Sequence, residues 1–310
     1  MKYLQTYKKI GIKEDNKDIF NNLINSLTDS IFTWDYFVDF KKVKKNIKLI
    51  EKELNLLNVL IGKQAIEKEF ISLVKEYPKV RKVLPILIAV RSNKLKDLRI
   101  ISDFDELLSE SKIDLFNPTI SLTQDLENEL LLFFKESGLK DIFKNKDIKN
   151  IVDYCFGVEV GMDTNARKNR TGTSMENIVE VIVAKFCKKN NYEYIAQATK
   201  SKIQTKWNHS IEIDKANRIF DFAIYIPRKD KIFILETNYY GGGGSKLKST
   251  AGEYQYLNDF LKRQNLDLIW ITDGLGWNTT KTALYETFLH NDYLLNIALL
   301  KLGALNDIVK

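Results

Sequence analysis

FDFAIYIPRKDKIFILETNYYGGGGSKLKSTAGEY, residues 220–254, decides the fold of this chain. Two apolar runs, FDFAIYI and KIFILETN, read as strands broken by Pro227 and a short polar turn. Asp221 stands in the first run and Glu236 in the second. An acid set among Phe220, Phe222 and Ala223 is costly to bury unless it is paired or coordinated. Glu236 shares a strand face with Asn238, because side chains alternate with period two. Carboxylates on two neighbouring strands are the least that holds a hard divalent cation, and Mg²⁺ suits oxygen ligands that leave positions for water and phosphate. The alternatives are ordinary ones. Asp221 could be satisfied by Arg218 or backbone N–H groups, and Glu236 could be an exposed strand-end carboxylate.

The second run opens into Gly241–Gly244 and a lysine-bearing helix. Strand, glycine loop and helix suggest a phosphate-binding loop, yet G-x-x-x-x-G-K-[ST] is absent, since Lys246 stands between Ser245 and Leu247. A nucleotide-binding reading is rejected. The glycines would instead allow close backbone approach to a phosphate at a helix N-terminus, with Lys246 and Lys248 adding charge. Both lysines could equally be solvated helix residues.

Working outward, residues 150–310 alternate helical and strand patterns. Ser174–Lys189 reads as helix, 192–199, 218–226 and 231–238 as strands, 246–264 as helix, 266–272 as a short buried strand and 280–290 as helix. This α-β-β-β-α-β-α order predicts an α/β fold with a mixed sheet covered by helices on both faces. The preceding residues are mainly helical. Val43, Ile47, Ile50, Leu54, Leu57 and Ile61 follow the spacing of one helix face, either a core face or a coiled-coil seam. Further helices are expected over 65–77, ended by Pro78, and over 122–136, with Gly138 closing it. The polar, lysine-rich stretch 137–150 marks the boundary between a helical region, 1–145, and a catalytic region, 146–310.

Composition agrees with a globular chain of one large or two smaller domains: 310 residues, 44% hydrophobic, 29% charged, formal charge +7. The basic excess permits a nucleic-acid partner without demanding one. Only Cys155 and Cys187 occur, without metal-ligand spacing, which argues against a disulfide framework or structural zinc. MKYLQTYKKIGIKEDNKD lacks the apolar core of a signal peptide, and the longest uncharged apolar run, Val83–Val90, is too short for a bilayer. A cytoplasmic protein with no membrane partner is expected.

Other residues add to the acids. Glu176 lies in TSMENIVE, where Thr173-x-x-Glu176 matches a capping box; alternatively, the first turn of that helix delivers a third carboxylate to the metal. Asn165, Arg167, Lys168, Asn169 and Arg170 form a basic loop ahead of it. Arginine reads guanine and asparagine reads adenine in the major groove, so this loop is a candidate reading head, or else a solvated loop touching phosphates. Lys200, Lys202 and Lys206 with Trp207 make a weaker basic patch. His209 and His290 have no triad context.

The acids at these places in an α-β-β-β-α-β order resemble the PD-(D/E)xK nuclease core. GVEVGMDTNARKNRTGTSMEN, the FDF run and ETNYYGGGGSKLKSTAGEY are similar to the DpnII/MboI family of type II restriction endonucleases, over most of the chain and most strongly over 155–260. The resemblance implies Mg²⁺-dependent cutting of double-stranded DNA at GATC, ahead of the guanine, and blockage by adenine methylation. It implies metal ligation by Asp221 and Glu236 with Glu176 as a helper carboxylate. Asn238 stands where the nuclease pattern has lysine; asparagine can orient water but brings no charge, so Lys246, Lys200 or a second metal would compensate. DNA contacts fall to Asn165, Arg167, Lys168, Asn169, Arg170, Lys200 and Lys248. A palindromic target favours a homodimer, and a cognate adenine methyltransferase would be its functional partner. Two rivals stand beside this reading: a repair nickase of the same fold, and a DNA-binding protein that has lost the chemistry.

Overall fold

The computed structural model describes residues 2–103 and 108–310, the side chains of residues 96, 97, 102, 103, 108–111 and 168 excepted. Its contacts divide the chain into two units. One is Trp34–Arg167; the other joins residues up to Thr33 with Lys168–Lys310. This differs from a division at 145/146, and the reason is long-range. Helix α1 (Asn16–Asn25), capped by the Asp15 carboxylate, packs Phe20 edge-on to Tyr285 at 4.8 Å. Just beyond it, the Thr28 N–H donates to buried Asp273 at 2.6 Å, and Asn296 donates to the Leu23 carbonyl. These ties span more than two hundred residues and leave no local signature.

The helical unit contains α2 (Phe40–Lys48), α3 (Glu51–Leu57), α4 (Ile66–Glu76), an antiparallel ribbon β1 (Arg99–Asp103) and β2 (Leu108–Ser111), α5 (Gln124–Glu136) and α6 (Ile151–Thr164). The expected stripe is buried at Val43, Ile47, Leu54 and Leu57, so it is a core face rather than a subunit seam. It is not one helix, however. The chain turns at Ile50 (φ −127°), and α2 and α3 each lie against α6. Phe70 stacks on Phe134 with centroids 4.1 Å apart at the centre of this core. Thr123 caps α5, and Gly138 follows it in the left-handed conformation that glycine adopts without strain.

The second unit is built on a five-stranded sheet. Helix α7 (Arg167–Asn190) leads into β3 (Glu193–Thr199), α8 (Lys200–Trp207), β4 (Ile219–Ile226) and β5 (Lys231–Tyr239). Helix α9 (Ser245–Lys262), β6 (Asp267–Asp273), α10 (Lys281–His290) and β7 (Tyr293–Leu295) follow. The strands lie in the order β3-β4-β5-β6-β7; β3, β4 and β5 are antiparallel, and β5, β6 and β7 are parallel. A mixed α/β sheet was expected, whereas α8 and β7 were not. Helix α9 is the crossover that two parallel neighbours require. The near-continuous burial of β5 and β6 follows from their central place. Among the described residues, no helix is long and apolar enough to cross a membrane.

Candidate active site

The antiparallel register from Ile226 opposite Lys231 to Phe222 opposite Leu235 brings Asp221 to the level of Glu236 at the next step. There the ladder ends, and the Asp221 carboxylate takes over: its Oδ2 accepts from the Thr237 N–H at 2.7 Å and from Thr237 Oγ1 at 2.9 Å. Like charges directly across a pair of strands repel. Glu236 is buried, and burial first, the Asp221 charge second, push its carboxyl up to about 8 against the pull of Arg218 and a Tyr254 hydrogen bond. Burial also raises Asp221, which Thr237 and Arg218 partly offset.

The rest of the site is held around Glu236. Tyr254 of α9 donates to Glu236 Oε2 at 3.2 Å. Asn238 Nδ2 in turn donates to Tyr254 at 2.8 Å, while Asn238 Oδ1 accepts from Trp270 Nε1 at 2.7 Å. Tyr254 stacks on Trp270 at 4.4 Å. Asn238 is therefore not a loose water-orienting amide: each end is engaged, and it fixes the tyrosine. On the other side, Arg218 Nη2 lies 3.4 Å from Glu236 Oε1, and its Nε lies 3.5 Å from Asp214 Oδ1. All three side chains are at least nine-tenths buried, yet Glu236 Oε1, Arg218 Nε and Asp214 Oδ1 have no hydrogen-bond partner among the described residues.

Glu176 reaches the same neighbourhood from α7. The helix begins seven residues before Ser174, so Arg167–Arg170 form its first turn instead of a loop, with Asn165 capping the end of α6. The capping-box alternative falls with that change. Thr173 is inside the helix and donates back to the Asn169 carbonyl at 3.1 Å. Glu176 accepts instead from Gln197 at 2.7 Å. Its carboxyl is raised by burial and by the Asp221 charge, and lowered by Gln197.

Gln197 is a residue that sequence reasoning missed. It has φ +50° inside β3, and the pairing steps from Ala196–Phe222 to Ala198–Phe220 past it. The register is the same on both sides of it, so this is a local break in strand conformation, and from it Gln197 reaches Glu176. The trace in the sequence is slight: buried Ile195 and Ala198 are three apart, where a regular strand would have them two apart.

Other expected residues lie elsewhere. Among the described residues, Lys246 and Lys200 make no ion pair with the acids. Lys246 and Lys248 are exposed in the first turn of α9, and Lys200 opens α8. The Lys168 side chain lies outside the described residues. Within the glycine run only Gly243 is closely packed, and Gly242 and Gly244 have open space where a Cβ would lie. A Cβ on Gly243 would meet Thr279 Oγ1 at 2.3 Å, and one on Gly276 would meet the Gly242 carbonyl at 2.4 Å. Among the described residues, no three His, Cys, Asp or Glu side chains are grouped to hold a metal. The candidate donor set for a cation is the two hard carboxylates of Asp221 and Glu236. It fits Mg²⁺, which keeps several waters, and Glu236 Oε1 is a buried oxygen without a donor.

The profile of the DpnII restriction endonuclease family matches residues 19–307, nearly the whole chain. The chain belongs to the DpnII restriction endonuclease family. It is 50% identical over 294 residues to the type II restriction enzyme MjaIII of Methanocaldococcus jannaschii, covering 94% of this chain and 99% of that one. Identity to the type II restriction enzyme LlaDCHI of Lactococcus lactis subsp. cremoris is 38%, with 96% of each chain covered. Identity to DpnII of Streptococcus pneumoniae is 36%, covering 90% of this chain and 94% of DpnII. No solved structure matches. Type II restriction endonucleases act on double-stranded DNA.

Proposed function

We propose that this restriction endonuclease cuts double-stranded DNA at GATC, ahead of the guanine, with Mg²⁺ held by Asp221 and Glu236. The opposition of those two carboxylates at the end of the β4–β5 ladder carries the reading. The succession α7, β3, β4, β5, α9, β6, with α8 as an insertion, supports a PD-(D/E)xK core. The acids lie in the unit containing the sheet, which is the proposed catalytic domain. When bound, Mg²⁺ would supply an activated water and offset charge on the phosphate. The palindromic target favours two copies of the chain, one per strand, and a cognate adenine methyltransferase would protect the host. Unmethylated plasmid digested in Mg²⁺ should give ends carrying 5′-GATC overhangs. Dispersed ends would contradict the specificity, and nicks as the final product would favour a repair nickase.

Arg218 is the cation that Asn238 does not provide. It offsets the Glu236 charge from within the site at 3.4 Å, while its Nε lies 3.5 Å from Asp214. Asn238 and Tyr254 orient Glu236 from the opposite side. Arg218→Gln should lower the single-turnover cleavage rate by about 10²–10³-fold, the scale of losing one preorganised donor. Arg218→Lys should recover part of the loss, since it restores charge without the fork. Rates unchanged in Arg218→Gln would return the role to Lys246 or Lys200.

A further inference from the structure

Helix α2, FKKVKKNIK, carries five lysines and no acid, and buries only Val43 and Ile47. At 3.6 residues per turn, Lys41, Lys44, Lys45 and Lys48 fall within an arc of about 100° and along roughly 10 Å of axis, away from the buried pair. Lys42 pairs with buried Asp163 at 3.5 Å. Asp39 accepts from the Lys42 N–H and caps the helix. The other four lysines are exposed and have no ion pair among the described residues. Some lysines elsewhere are balanced locally: Lys75 meets Glu127, Lys135 and Lys140 meet Glu67, and Lys215 meets Glu253. The stripe on α2 is uncompensated.

A second feature lies just before it. Trp34 is completely exposed, and Phe37 and Phe40 are more than half exposed. The Arg167 guanidinium lies 5.5 Å from the Phe37 ring centroid. An indole wholly in water gains nothing for the fold, whereas indoles and aromatic rings beside lysines suit nucleic acid, where a planar face packs on sugar or base while cations take the phosphates.

We propose that α2 and Trp34 form a docking surface for the backbone of duplex DNA. Lys41, Lys44, Lys45 and Lys48 lie along successive phosphates, and Trp34 packs beside them. The surface reads no sequence; it adds affinity and register to whatever the active site recognises. It rests on the duplex-DNA substrate of the family, not on the metal or on GATC.

The test uses the full chain, without divalent cation, on cognate and scrambled duplexes. Each neutralised phosphate contact contributes about 0.9 to the slope of log K against log salt. The quadruple variant Lys41→Gln, Lys44→Gln, Lys45→Gln, Lys48→Gln should therefore reduce that slope by about 3–4 and weaken both duplexes equally. If it does not fold, Lys44→Gln with Lys48→Gln should lower the slope by about 2. Trp34 gives an independent readout, because Trp207, Trp270 and Trp277 are buried. Duplex should change the emission of the native protein, and Trp34→Phe should remove that change. An unaltered salt slope would overturn the proposal. So would an emission change that follows protein concentration without DNA, which would mark a contact between copies of the chain.

Discussion

Asp221→Asn and Glu236→Gln proteins are expected to bind duplex DNA nearly as well as the parent and to lose cleavage by about 10³-fold or more. That is the scale of losing one transition-state electrostatic interaction, about 3–4 kcal/mol, applied to a group that also holds the cation. Neither residue is placed to touch bases, so binding should persist. Glu236→Gln carries its own control for folding. The folded-state carboxyl sits near 8 against an ordinary 4.5. A raised pKa means that its favourable contribution is complete below the ordinary value and is lost as pH climbs through the folded value. In the metal-free protein, stability contributed by Glu236 should therefore decline between about 4.5 and 8. The glutamine variant should lack that decline and melt higher than the parent at alkaline pH. A variant that melts higher and no longer cuts has lost chemistry, not structure. Single-turnover rates and melting curves on the same preparations check both halves.

Adenine methylation should have an effect of similar size. The N6 amino group of the GATC adenine faces the major groove, where an Asn or Gln side chain accepts from N6 and donates to N7. Asn169 is exposed in the first turn of α7, with Arg167 and Arg170 beside it, and Asn165 is exposed one step earlier. The N-terminal turn of a helix is the part that recognition helices commonly present to base edges. A methyl group on N6 leaves one N–H but puts a carbon into that contact. It thereby disturbs both binding and the alignment that attack on the phosphate needs, and small misplacements are expensive in rate. Unmethylated duplex should be cut efficiently, and a duplex methylated on both strands should resist. Asn169→Ala should weaken binding to GATC by about 1–3 kcal/mol while leaving scrambled duplex unaffected. Equal cleavage of matched methylated and unmethylated duplexes would end the claim. Cutting of the methylated duplex alone would place the chain in another restriction class.

Much of the sheet could be read from residues 220–254 because its signals are local. KIFILET is a buried run that ends in polar residues, and the crossover after it follows from the helical spacing of Leu247, Ala251, Tyr254, Leu257 and Leu261, all of them buried. The features that escaped depend on contacts between distant segments. The first helices join the sheet through Asp273 and Asn296, which receive or make bonds far along the chain. Gln197 departs from the strand pattern through a left-handed backbone at the level of Asp221, and no propensity favours a left-handed glutamine there. Residues 165–170 read as a basic loop; α7 nevertheless begins at Arg167 and exposes Asn169 and Thr173. Arg218 and Tyr254 stood in view within or beside the decisive stretch. Their roles emerge only when β4, β5 and α9 bring both against the one buried carboxyl of Glu236. Reading Asn238 as a substitute for lysine was natural in a linear motif. In three dimensions its amide is spent on Tyr254 and Trp270.

The central claim is that Asp221 and Glu236 together hold the cation that cuts DNA. Calorimetric titration of Ca²⁺, a hard cation of the same ligand preference, into the protein bound to GATC duplex tests it without turnover. The parent should bind the ion, and Asp221→Asn with Glu236→Gln should abolish that binding while the duplex stays bound. Ca²⁺ binding of unchanged affinity in the double variant would place the metal elsewhere and contradict the account.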